Sequence, residues 1–170
     1  MTALVLVHVV RPILPIPPKL DRTIYEIRGW DLLGERVGEI KKNMPRPDNS
    51  FIFGLRYQVA SELAFYVPGQ PFTVSINRWN RPNVYDYWWQ DEDLIGWDAV
   101  GVTYASDHHT TRLNQIFERV DPPVKLEITR KPVWRPGSDE LIKTFYLYRA
   151  YGFKGGLRWE PKDKQDIRVR

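Results

Sequence analysis

The chain has 170 residues, 42% of them hydrophobic and 14% aromatic, enough to build the core of one compact domain. It contains no cysteine, which excludes a disulfide framework and cysteine-based zinc sites. The net charge of +4 is dispersed among acidic residues with no Lys/Arg stripe or nucleic-acid motif, which disfavours nucleic acid as a partner.

The first ten residues, MTALVLVHVV, are almost wholly apolar. They are too few to cross a bilayer, which takes about 20. They also lack the basic start and small-residue cleavage site of a signal peptide. Two readings remain open, a buried strand or the end of a membrane helix. Pro12, Pro15, Pro17 and Pro18 then impose an extended run, read as a linker over residues 1–20 together with the apolar stretch. A single α/β domain is expected over 21–160, and residues 161–170 form a charged tail.

In GWDLLGERVGEIKKNMP, Trp30, Leu33, Val37, Ile40 and Met44 recur at spacings of three and four, which predicts an amphipathic helix ended by Pro45. Gly34 and Gly38 lower its propensity and point to a close backbone approach. SFIFGL (50–55) reads as a buried strand. YQVASELAFYVPGQP (57–71) reads as a helix with Ala60, Leu63, Ala64 and Val67 inward and Gln58, Glu62 and Phe65 opposite, stopped at Pro68-Gly69. PFTVSIN (71–77) and DAVGVTYA (98–105) read as strands, the second apolar enough to be covered on both faces. TTRLNQIFERV (110–120) reads as a helix. In VKLEITRKPVW, Val124, Leu126 and Ile128 alternate with Lys125, Glu127 and Thr129, and RPGSDE supplies turn chemistry before the β-rich LIKTFYLYRAYGF. The expected fold is a small three-layer α/β domain with a mostly parallel sheet core and a C-terminal antiparallel β-hairpin.

Two segments attract a chemical reading. Asp107-His108-His109 follows a predicted parallel strand, where α/β folds place ligands. Adjacent histidines on extended chain point to opposite sides, however, and no third ligand is spaced to join them, so no metal and no cofactor are expected. WNRPNVYDYWWQDEDLIGWD is dense in aromatic residues and charge. Trp79, Arg81, Tyr85, Asp86, Trp88 and Trp89 are the candidate contacts for a glycan or a membrane surface. Stacking of bases and plain packing on the sheet are the other readings. No GxSxG, Walker loop, GxGxxG or HExxH is present, and no active site assembles from the residues.

YQVASELAFYVPGQP, NRPNVYDYWW, GWDAVGVTY and FYLYRAYGFKGG, taken together and in this order, resemble the C-terminal region of bacterial glycosyltransferase family 39 proteins. These are dolichyl-phosphate-mannose–protein mannosyltransferase-like membrane enzymes, related to aminoarabinose transferases that modify lipid A. RPILPIPPKLDRT and RGWDLLGERV are similar to the junction after their last membrane helix. The resemblance implies that ALVLVHVV ends that helix and that the domain lies at the extracytoplasmic, periplasmic face of the inner membrane. It implies a lipid-linked sugar and a membrane-embedded transferase body as partners, in cis or as a separate chain, with Gln58 and Glu62 as candidate interface residues. The family's catalytic carboxylates lie in a loop between membrane helices that has no counterpart in these residues. No catalytic residue is therefore carried over, and the expected role is accessory. A stand-alone carbohydrate- or nucleotide-binding module is the alternative.

Overall fold

The computed structural model describes residues 2–76, 84–105 and 110–157. In chain order the elements are α1 (Thr2–Val10), α2 (Arg22–Ile27), α3 (Trp30–Lys42), β1 (Ser50–Gly54), α4 (Tyr57–Tyr66), β2 (Thr73–Ser75), a 3-10 turn (Val84–Tyr87), α5 (Asp91–Leu94), β3 (Asp98–Tyr104), α6 (Thr110–Ile116), β4 (Phe117–Val120), β5 (Val124–Arg130) and β6 (Glu140–Phe153).

One six-stranded mixed sheet runs in the order β2-β1-β3-β6-β4, with β5 also on β6. β1 pairs parallel with β2 and with β3. β6 pairs antiparallel with β3, β4 and β5, so the sheet is not mostly parallel as the sequence suggested. The cause is the length of β6. Its 14 residues pair with β3 along one edge, while β4 and β5 lie end to end along the other. Pro122 and Pro123, which cannot donate to a ladder, break what would otherwise be one strand between β4 and β5.

Side chains of β1 and β3 alternate between two apolar clusters, as the period of a strand requires. Ile52, Val100 and Val102 join Trp30, Leu33 and Val37 of α3 and Val59 and Leu63 of α4. Phe51, Phe53 and Ala99 join Leu94 of α5 and Leu113 and Ile116 of α6. Helices thus cover both faces of the parallel part, and β1 is buried throughout. Close packing depends on two glycines. A Cβ at Gly34 would run into the Tyr66 carbonyl where α3 crosses α4, and one at Gly101 would run into the Phe53 ring.

Several sequence expectations change. Of the two readings left open for the N-terminal run, strand and helix, it is a helix. The helix predicted over 110–120 stops at Ile116, and Phe117–Val120 turns into β4 because Phe117 packs in the sheet cluster beside Phe51 and Phe53. On α4 the buried face is Val59, Ala60 and Leu63, with Val67 at the C-cap; Ala64 is half-buried. The charged tail lies outside the described residues.

Leu63 is 1% exposed. Leu63→Ala should lower stability by about 2–5 kcal/mol, the usual cost of truncating a buried leucine. Gln58→Ala, at an exposed position of the same helix, should change it by under about 0.5 kcal/mol. Urea melts of the two variants measure the difference; equal losses would place the buried face elsewhere.

Candidate site at the carboxyl edge of the sheet

β1 and β3 are parallel neighbours whose chains leave in different directions. β1 leads into α4, packed in the cluster of α3, and β3 leads toward α6, packed in the opposite cluster. In α/β sheets the carboxyl ends of strands that diverge in this way are the usual ligand position. Gly54 makes the β1 end compact, since a Cβ there would strike the amide of Ala60 in the first turns of α4.

The side chains gathered at this edge come from five elements, α2, α3, α4, β3 and β6. Tyr104 ends β3, and its ring stacks on Tyr25 of α2 with centroids 6.4 Å apart and planes 16° apart. The Arg56 guanidinium, at the N-cap of α4, lies 5.6 Å from the centre of the Tyr104 ring. Tyr104 pairs with Phe145 in the ladder, which carries Lys143 of β6 just past the end of β3. The Lys143 amine sits 4.3 Å from the centre of the Trp30 ring and donates to the Tyr25 carbonyl at 2.8 Å. Glu26 and Glu62 supply the negative field around it.

Burial pushes the Lys143 amine down from the ordinary lysine value to about 8, against the pull of Glu26 and Glu62. Burial also pushes the Glu62 carboxyl up, although Lys143 opposes the rise. The Tyr104 hydroxyl is raised as well, first by burial and then by Tyr25 and Glu26. Lys143 is only 4% exposed, so the half-buried Glu62 carboxyl is the member of this pair that can reach a hydroxyl group from outside, with the Lys143 charge behind it. Among the described residues no group of three or more His, Cys, Asp or Glu is arranged to hold a metal ion.

The candidates named from sequence distribute differently. Glu62 belongs to this rim and is half-buried rather than pointing freely outward. Gln58 is exposed on the same helix, one turn earlier. Tyr85 is buried, with its hydroxyl 3.0 Å from Ser61 Oγ on α4 and its ring edge-on to Trp88. Trp89 packs on Phe72 with centroids 4.2 Å apart, so it covers the sheet rather than presenting a platform. Trp88 is exposed. Trp79, Arg81, the side chain of Asp86, and Asp107-His108-His109 lie outside the described residues.

Lys143, Tyr25, Glu26, Arg56 and Tyr104 were not singled out from sequence. One signal for Lys143 was present. In LIKTFYLY it stands in register with Phe145 and Leu147, a lone cation on an inward apolar face.

Compared with known proteins, the chain matches no family model, no curated protein and no solved structure.

Lys143 gives a pH test. Its folded-state pKa of about 8 lies below the ordinary 10.5, so the unfolded chain binds the proton more tightly and stability rises with pH above about 8. Tyr104 acts oppositely above its ordinary value of 10.0, because the folded chain then keeps a proton that the unfolded chain loses. Between pH 8 and 10 the rise therefore comes mainly from Lys143, with a smaller part from Lys41, whose amine burial also lowers. Urea melts across this range should show that Lys143→Met loses most of the rise seen in the parent chain. An unchanged profile would mean that the amine is not desolvated.

Proposed function

We propose that this chain is the extracytoplasmic C-terminal accessory domain of a polyprenyl-phosphate-sugar-dependent membrane glycosyltransferase. It helps to shape the donor or acceptor site and is not catalytic alone. The observation that carries the reading is the way the apolar helix α1 is fastened to the domain. His8 of α1 is buried, and its Nε2 lies 2.9 Å from Asp21 Oδ2. Its Nδ1 accepts from the backbone amides of Ile13 and Leu14 at 3.1 Å each, which places the ring proton on Nε2, donated to Asp21. Asp21 in turn receives Arg130 Nη1 at 2.6 Å, and Arg130 also bonds Glu140 and the Ile16 carbonyl. Arg28 caps the end of α1 by donating to the Val9 and Val10 carbonyls.

Leu6, Val7 and Val10 nevertheless face outward, 63%, 51% and 78% exposed. An apolar helix held rigidly by a charged clamp, with its free side apolar, suits a domain suspended from a membrane segment. Among the described residues no helix is long and apolar enough to cross a membrane. The rim at Lys143 and Glu62 shares α2 with this clamp, since Asp21 caps α2 and Tyr25 and Glu26 follow in it. The reading therefore sets the rim near the bilayer, where a lipid-linked sugar presents its headgroup.

The purified chain should bind nanodiscs carrying a polyprenyl-phosphate sugar more tightly than discs carrying polyprenyl phosphate alone. It should transfer none of the radiolabelled sugar to an acceptor, and Glu62→Ala should reduce the preference. Equal binding to both discs would contradict a role at the donor, and turnover by the chain alone would contradict an accessory role.

A further inference from the structure

We infer that the β5–β6 connection, residues 131–135, is a second lipid contact that forms with α1 a two-point docking face for an anionic bilayer surface. The inference rests on the membrane-borne reading above and adds to it a named surface and an orientation. The segment reads Lys-Pro-Val-Trp-Arg. It is tied beside the chain leaving α1, because the Val133 amide donates to the Pro12 carbonyl at 3.1 Å. Arg130, immediately before it, bonds the Ile16 carbonyl and stands 5.4 Å from the centre of the Trp134 ring. The same buried charges that fix α1 thus fix this tip.

The composition of the face selects its partner. Val133 is 43% exposed and Leu20 75%, and Leu6, Val7 and Val10 of α1 also face outward. Trp134 is half-buried, with the amphipathic ring that favours a headgroup boundary. Arg11 and Lys19 in the run after α1, and Lys131 and Arg135 flanking Val133 and Trp134 in sequence, are all exposed. Of the neighbouring acids, Asp21 is buried against Arg130 and His8, Glu140 pairs with Arg130 and more loosely with Arg135 at 3.8 Å, and Asp139 is exposed. Apolar side chains, a tryptophan and four exposed cations, of which Arg135 is loosely paired with Glu140, match an anionic lipid surface, where each basic residue adds about 1 kcal/mol. A protein partner for this face is the other outcome of the test.

Because the chain has no cysteine, a single introduced one carries a unique environment-sensitive dye. Val10→Cys, Val133→Cys and Asn49→Cys, the last exposed just before β1 at the opposite end of the strands, are labelled and titrated with phosphatidylcholine vesicles with and without phosphatidylglycerol. The Val10 and Val133 labels should both shift to the blue with the anionic vesicles and the Asn49 label should not. Lys131→Gln with Arg135→Gln should weaken binding roughly thirtyfold, two charges at about 1 kcal/mol each. A shift at Val10 without one at Val133 overturns the two-point face and leaves the membrane-borne reading standing. No shift at either, with self-association or protein binding blocked by the Lys131/Arg135 changes, overturns both. A shift at all three positions overturns the orientation.

Discussion

Arg130 carries its charge into a site where its side chain has no solvent exposure, and much of the molecule is arranged to make that tolerable. Burying a guanidinium costs several kcal/mol unless counter-charges and hydrogen bonds surround it. Here Asp21 and Glu140 supply the charges and the Ile16 carbonyl a further acceptor. Asp21 is itself shared with His8 and the Ile24 amide. The cluster therefore joins α1, the proline-rich run, the start of α2, the end of β5 and the start of β6. Removing one member would strand a buried charge, and each joined segment would lose its anchor. The proline-rich run is consequently no free spacer: its backbone donates to His8 and accepts from Arg130 and Val133.

The sheet supports this cluster through β6. β3, β4 and β5 all depend on that one strand, and its first residues extend past the end of β3 to carry Glu140 and Lys143. Two buried cations result, solved in two ways. Arg130 is matched by carboxylates at hydrogen-bond distance. Lys143 has aromatic faces and one carbonyl, with Glu26 and Glu62 acting only through the field, and so it gives up part of its affinity for the proton. The first arrangement fastens segments together. The second leaves a responsive group at the edge where the parallel strands end.

The periodic elements were legible in the sequence. Trp30 to Met44 has the spacing of a helix, and α3 spans Trp30–Lys42. SFIFGL, PFTVSIN and DAVGVTYA contain β1, β2 and β3. What failed was what depends on distant partners. Phe117–Val120 continues a helical pattern locally, yet pairs with β6 because Phe117 fills the cluster beside Phe51. The mixed character of the sheet followed from pairings of β6 that no local pattern encodes. The N-terminal run left helix and strand open because its valines favour strand while its length fits either; it is a helix, with His8 tied to Asp21 beyond the proline-rich run. Glu62 read as an outward residue by helical position, and it is Lys143, 81 positions later, that gives it a partner field. Of the aromatic segment read as a candidate contact, Tyr85 and Trp89 pack on the domain while Trp88 is exposed, and Trp79, Arg81 and the Asp86 side chain lie outside the described residues.

The central claim is that the Arg130 cluster holds α1 in one orientation on the domain. Spin labels at Leu6→Cys and Asn49→Cys, unique in a cysteine-free chain, report the distance between α1 and the far end of the sheet by pulsed electron resonance. The parent chain should give one narrow distance distribution. With Arg130→Met added, the distribution should broaden while the circular dichroism of the sheet persists. A broad distribution in the parent, or an equally narrow one without Arg130, would contradict the account.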